Sequence, residues 1–153
     1  MQIEERLAQL GLSIPQPKSH TSAYRRWYQA GSLLFLAGAP PVSEDGSFAF
    51  VGKVGRELSK EEGKASARLS FLNALFYLKD AISGDWGRVL GCAKMVVYVH
   101  CDPSFSEVHE IADAASLLAL ELFGDSGPVR TSLGCATLPA NIATEIELVF
   151  HVT

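Results

Sequence analysis

The last stretch of the chain, Thr144-Glu145-Ile146-Glu147-Leu148-Val149-Phe150-His151-Val152, alternates apolar and polar residues with a period of two. Ile146, Leu148, Phe150 and Val152 would point one way, with Glu145, Glu147, Val149 and His151 opposite, the pattern of a strand buried on one face. Upstream, Gly127-Pro128-Val129-Arg130-Thr131-Ser132-Leu133 reads as a second strand, and a turn through Leu138-Pro139 would join the two. The pair would carry Arg130 at the entrance of the first strand and two carboxylates on one face of the second. A guanidinium is the natural receptor for a carboxylate, because its fork of donors fits two oxygens and keeps its charge. The arrangement points to a site for a small anion. The plainer alternative is a surface Arg–Glu pair, which contributes little.

The rest of the chain supplies what such a strand packs against. Ile3, Leu7 and Leu10 have helical spacing up to Gly11, and Ser13-Ile14-Pro15-Gln16-Pro17-Lys18 follows as an extended linker. The chain thus divides into an N-terminal helix and linker over 1–18 and a single domain over 19–153. Tyr24–Gln29 and Leu33–Leu36 read as a hairpin around Gly31-Ser32, and Phe48–Val51 as a short strand. Ser59-Lys60-Glu61-Glu62 matches a capping box. Behind it Ala65, Leu69, Leu72, Leu75 and Phe76 form an apolar face, giving a helix to about Ile82. Cys92–Cys101, with Met95-Val96-Val97-Tyr98-Val99 nearly all apolar, suits a central strand covered on both faces. Ser104-Phe105-Ser106-Glu107 reads as a second capping box, opening a helix through Val108, Ile111, Ala115, Leu118 and Leu122 that closes at Gly124. The class is α+β, a mixed sheet with two helices on one face. Apolar residues on the other face would be buried against another subunit, so an oligomer is expected.

Composition narrows the functional classes. With 153 residues, 48% hydrophobic and 20% charged, the chain has the profile of a globular domain with a real core. The net charge is −4, and Lys18 with Arg25-Arg26 is too sparse a cluster for a phosphate-tracking surface, which disfavours nucleic acid. Cys92, Cys101 and Cys135 show neither CxxC nor Cys/His spacing, and His20, His100 and His151 are scattered, so no metal site or disulfide framework is indicated. The N-terminus is charged where a signal peptide would be apolar, and no stretch approaches a transmembrane span, so a cytoplasmic protein is expected.

At Val129-Arg130-Thr131-Ser132, Leu138-Pro139 and Glu145-Ile146-Glu147 the sequence resembles the Rid family, reactive intermediate deaminases also called YjgF or L-PSP proteins. Leu34-Phe35-Leu36-Ala37-Gly38 adds to the resemblance, which runs from about Tyr24 to Val152. The N-terminal segment to Pro17 and Gly52-Lys53-Val54-Gly55 look like one bacterial branch. The resemblance implies a chorismate-mutase-like fold, a homotrimer with pockets between subunits, a small carboxylate ligand and no cofactor. It also implies that Arg130 grips the substrate carboxylate, Glu145 positions the attacking water, and Tyr24 and Gly38 line the site. Three positions depart from the family pattern: Ala37 replaces a serine, Ser132 a cysteine and Asp113 an asparagine. These departures bear on substrate identity.

Each residue also has a plainer role. Tyr24 could be an interface aromatic, Asp113 and His109 solvated helix residues, and Cys135 packing. Ser132 has no partner at triad spacing. The implied function is hydrolysis of enamine or imine intermediates to 2-keto acids and ammonia. A non-catalytic trimer that binds small carboxylates is the alternative, and an endoribonuclease is disfavoured by the charge.

Overall fold

The computed structural model describes residues 3–17, 23–124 and 127–153. Lys18 and His20 lie outside the described residues. Three helices, α1 (Ile3–Gln9), α2 (Lys60–Ala81) and α3 (Val108–Phe123), accompany five strands, β1 (Trp27–Ala30), β2 (Leu33–Ala39), β3 (Val89–His100), β4 (Val129–Cys135) and β5 (Thr144–Val152). The sheet order is β1-β2-β5-β3-β4. Every pairing is antiparallel except β3 with β4. This is the expected α+β arrangement, with α2 lying over β2 and β5 and α3 over β3 and β4.

The expected pairing of the last two strands does not form. β4 and β5 are not a joined pair, because β3 lies between them. The chain leaves β4, turns through the short 3₁₀ segment Pro139–Asn141, and returns on the far side of β3. β3 starts before the expected Cys92, at Val89, and ends at His100, and its apolar run provides the spine that both strands need.

Register and alternation sort the side chains into two faces. Leu36, Leu148, Met95 and Arg130 form one row beneath the helices, and Ile146, Val97 and Ser132 form the next. Opposite them run Phe35, Val149, Lys94 and Val129, then Glu147, Val96 and Thr131, then Glu145, Tyr98 and Leu133. The covered rows belong to the main core with Phe71, Leu75 and Leu78 of α2 and Ile111 and Ala115 of α3. Among the described residues no helix covers the second face. There Tyr28 is 57% exposed, Leu33 40%, Phe35 43%, Val129 71% and Leu133 37%. β3 is therefore covered by this chain on one side only.

Local chemistry explains which expected elements formed. The first capping box is made: the Glu62 amide donates to Ser59 Oγ at 3.2 Å, and the Ser59 amide to Glu62 Oε2 at 2.7 Å. The second is not. Both the amide and hydroxyl of Ser104 donate to Asp102 Oδ1, at 2.9 and 2.7 Å, and Glu107 instead lies 3.4 Å from Lys60 Nζ. A local turn outcompetes the cap. The 48–51 segment forms only isolated bridges, Val42 with Phe48 and Val51 with Ile142. Pro40-Pro41 cannot donate to a ladder, and Phe50 has φ 56°. The first hairpin strand starts at Trp27, not Tyr24.

The buried face of α2 is wider than expected and partly polar, including Ser66, Ser70 and Asn73. Ser66 Oγ is 2.7 Å and Ser70 Oγ 2.9 Å from Thr144 Oγ1, clamping the start of β5 to the helix. Asn73 Nδ2 donates to Val42 O at 2.9 Å and Leu69 O at 3.0 Å, tying the loop after β2 to α2. Thr144→Val keeps the shape but removes the hydroxyl that the two buried serines share. The expected cost is about 1–3 kcal/mol, read from urea unfolding with an unchanged slope.

Candidate functional site

Thr144, fixed by its serine clamp, sets where Glu145 begins, and Glu145 turns to the uncovered face at the border of a cavity of ≈ 440 Å³. Gly38 lies directly under it. A Cβ added at Gly38 would meet Glu145 Oε1 at 2.8 Å, so a larger residue there must displace the carboxylate. A register irregularity in β2 between Leu36 and Ala39 places the glycine here. Tyr24, Arg26, Asn73 and Tyr77 share the lining, and Val42, Phe48 and Ile142 give it apolar walls. The expected Tyr24, Gly38 and Glu145 are thus brought together.

Arg130 is not with them. It belongs to the helix-side row of Met95 and Leu148, while Glu145 belongs to the open-face row of Tyr98 and Leu133. The two rows are separated by about 10 Å along the strands, with β3 adding about 10 Å across, and the side chains project from opposite faces. Arg130 Nη1 donates instead to Asp113 Oδ1 at 2.5 Å and Ser116 Oγ at 2.7 Å on α3. Asp113 is therefore an ion-pair partner and not simply solvated. Ser132 lies two residues along β4, in the neighbouring helix-side row. The expected picture of one arginine beside two carboxylates fails within a single chain. What holds is the pair of carboxylates on one face of β5.

Those two carboxylates have different settings. Glu147 accepts from the Tyr98 hydroxyl at 3.3 Å. Glu145 is half-buried, and burial, followed by the nearby Glu147, pushes its carboxyl above the usual glutamate range. The Tyr77 hydroxyl is also pushed up by burial, with Arg26 opposing and Tyr24 and Glu145 adding to the shift. These groups thus share one end of the cavity. Arrays of this kind, with a carboxyl raised in its titration by desolvation, suit acid–base chemistry. Among the described residues no group of three or more His, Cys, Asp or Glu converges as a metal site would. Also among them, no helix is long and apolar enough to cross a membrane.

Arg26, Asn73 and Tyr77 were not singled out from sequence as site residues. Arg26 had a signal, since it stands two residues from Tyr24 in an extended stretch. Asn73 and Tyr77 had a weaker one, as polar groups four apart on a helix, the spacing that shares a face.

The raised carboxyl of Glu145 has a sign that stability can test. Its folded value lies above the unfolded one, so ionisation near neutral pH costs folding free energy, and the cost vanishes once both states are protonated. Glu145→Gln should therefore raise Tm at pH 7. The gain should shrink as the pH falls through the folded value and disappear below 4.5, the ordinary glutamate value.

Comparison with known proteins agrees with this architecture. The family described as "YjgF/chorismate_mutase-like, putative endoribonuclease" matches residues 4–151. Protein TCP17 of Trypanosoma cruzi is 32% identical over 143 residues, covering 92% of this chain and 88% of that protein. Among solved structures, Atu1372 of Agrobacterium tumefaciens, a protein of unknown function, superposes with a TM-score of 0.91 at 31% identity, over 99% of this chain and 94% of that one. A "putative endoribonuclease" of Shewanella oneidensis gives 0.92 at 28% identity, over 99% of this chain and 100% of that one. With its five-stranded mixed sheet, helices on one face and near-complete match, the chain belongs to the YjgF/chorismate-mutase-like family, the YjgF/Rid family named by its motifs.

Proposed function

We propose that the protein hydrolyses reactive imines, and their enamine tautomers, of 2-keto acids to the keto acid and ammonia, in sites built between copies of a homotrimer. The observation that carries this reading is Glu145, a half-buried carboxylate pushed upward in its titration, seated on Gly38 at the border of a cavity. The chemistry needs a held carboxylate, an aligned water and a group that can take and return a proton. An enamine first becomes the imine by gaining a proton at carbon and losing one from nitrogen. Water oxygen then bonds to the imine carbon, while one water proton passes through Glu145 to nitrogen. The C–N bond of the resulting carbinolamine breaks as the hydroxyl oxygen forms the carbonyl, and its proton leaves with ammonia. A positioned acid–base group contributes about 10²–10⁴-fold to such steps.

The carboxylate receptor in this reading is Arg130 of a neighbouring copy. Support comes from the uncovered face, where Tyr28, Leu33, Phe35, Val129 and Leu133 stand exposed on the same side of the sheet as Glu145. Patches of this kind mark association surfaces. β4 is an edge strand, so an Arg130 at the rim of one copy is well placed to meet the open face of the next. Trimeric assembly accords with the resemblance at Arg130 and Glu145. The ribonuclease reading of the relatives' names would need a cationic track, and the net charge of −4 argues against it.

Ammonia release from freshly generated 2-aminoacrylate tests the proposal. The expected result is acceleration over buffer, lost by about tenfold or more in Arg130→Ala. Gly38→Ala should also lose activity, because its methyl would push the Glu145 carboxylate from its seat, with Tm on the same sample checking folding. Keto-acid binding without ammonia release would leave a binding protein, and RNA cleavage without it a nuclease. Activity unchanged in Arg130→Ala would remove the arginine from the mechanism.

A further inference from the structure

Helix α3 holds Arg130 by a single nitrogen. Nη1 donates to Asp113 Oδ1 at 2.5 Å and to Ser116 Oγ at 2.7 Å, which engages both hydrogens of that nitrogen. The Ser116 hydroxyl itself donates to the Ala112 carbonyl, four residues back on α3, at 3.1 Å. Its proton is thus committed, and a lone pair is left to receive the guanidinium. Asp113 and Ser116 are three apart, the spacing that puts two side chains on one helix face, so one rigid element supplies both acceptors. A guanidinium carries five N–H donors. Those that remain sit on Nε and Nη2, and neither atom makes a hydrogen bond among the described residues. Together Nε and Nη2 form the side-on edge of the fork, whose parallel N–H bonds match the two oxygens of a carboxylate.

The geometry points to Asp113 and Ser116 as positioning residues for Arg130: they fix Nη1 and leave the Nε–Nη2 edge as the receptor for the substrate carboxylate. The inference rests on the reading above, in which that carboxylate belongs to a substrate bound beside Glu145 of a neighbouring copy. An unheld arginine turns about its side-chain torsions, and a ligand must arrest them. One already held loses less freedom for each hydrogen bond it makes. Asp113 and the substrate are both anions, yet each uses different nitrogens of one cation. An acid at 113 holds the guanidinium more firmly than a neutral amide would, since hydrogen bonds between ionised partners are roughly twice as strong. The Arg130 side chain is 22% exposed, and a partly enclosed pair is screened less by salt than one in open solvent.

A double-mutant cycle on the intact protein reads the coupling, with pyruvate as a stable probe and 2-aminoacrylate as the substrate. Asp113→Ala should weaken pyruvate binding by about tenfold or more and raise KM more than it lowers kcat, because the carboxylate grip is what is lost. Asp113→Asn keeps an acceptor oxygen and should fall between Asp113→Ala and wild type. Ser116→Ala removes an uncharged acceptor and should weaken binding less than Asp113→Ala. Tm should barely move, since a partly exposed ion pair contributes little to stability. In the Arg130→Ala background, Asp113→Ala should cost nothing further, because residues that act through one another are not additive. An equal loss with and without Arg130, or no loss when Arg130 is present, would overturn the positioning role. So would tighter pyruvate binding in Asp113→Ala, which would make the aspartate a competitor. The parent reading is scored separately. Coupled pyruvate binding without ammonia release rejects the deaminase alone, and ammonia release that needs Arg130 but not Asp113 rejects the positioning role alone. Pyruvate binding unchanged in Arg130→Ala rejects the receptor and the positioning role together.

Discussion

β3 is the constraint on which the rest depends. It lies between β5 and β4, and strand alternation then dictates where every side chain of its neighbours points. Arg130 falls in the row of Met95 under the helices, and Glu145 in the row of Tyr98 on the open side. No choice of rotamer moves a side chain through a hydrogen-bonded sheet. A site that uses both groups is therefore incomplete in one copy. The exposed apolar side chains on the open face are the other side of the same constraint, since no helix among the described residues covers them.

The covered side fixes the place of the Glu145 carboxylate. Thr144, immediately before Glu145, is held by Ser66 and Ser70 of α2. Asn73, one helical turn beyond Ser70 (three residues), holds the Val42 carbonyl. One helix thus positions both the strand that carries Glu145 and the loop that walls its cavity. Its own start is set by the reciprocal Ser59–Glu62 cap. Half-burying a carboxylate near a second one is unfavourable, and such a cost persists where surrounding packing over-determines the position. Gly38 shows how tight that packing is, with no room for a methyl group beneath Glu145. Farther away, α1 is tied to the domain by the Arg6–Glu121 ion pair and by Glu4, which accepts from Trp86 Nε1 at 3.1 Å and pairs with Lys79 at 2.8 Å.

Local features were legible in the sequence, and non-local pairings were not. The period of β5, the Ser59 cap and the Gly124 stop of α3 all follow from residues within a few positions of one another. The place of β3 between β4 and β5 does not, because nothing in either strand's alternation names its partner. That gap produced the mistaken Arg130–Glu145 neighbourhood and concealed the Arg130–Asp113 pair. Ser104 misled for a smaller reason: Asp102 competes for the same donors more closely than Glu107 can. The motif likeness identified the family and picked out Tyr24, Gly38 and Glu145, which the fold gathers at one cavity. Arg26 escaped notice because its place depends on stacking against Phe76 and Tyr77, fifty residues away in sequence.

The central claim is that one working site draws Arg130 from one copy and Glu145 from another. Subunit complementation tests it most directly. Arg130→Ala and Glu145→Gln chains are co-expressed with different tags, and oligomers carrying both tags are isolated and assayed for ammonia release. Each variant alone should be inactive, while the mixed oligomers should regain activity, because an intact Glu145 on one chain meets an intact Arg130 on the next. Mixed oligomers as inactive as their parents would contradict the account.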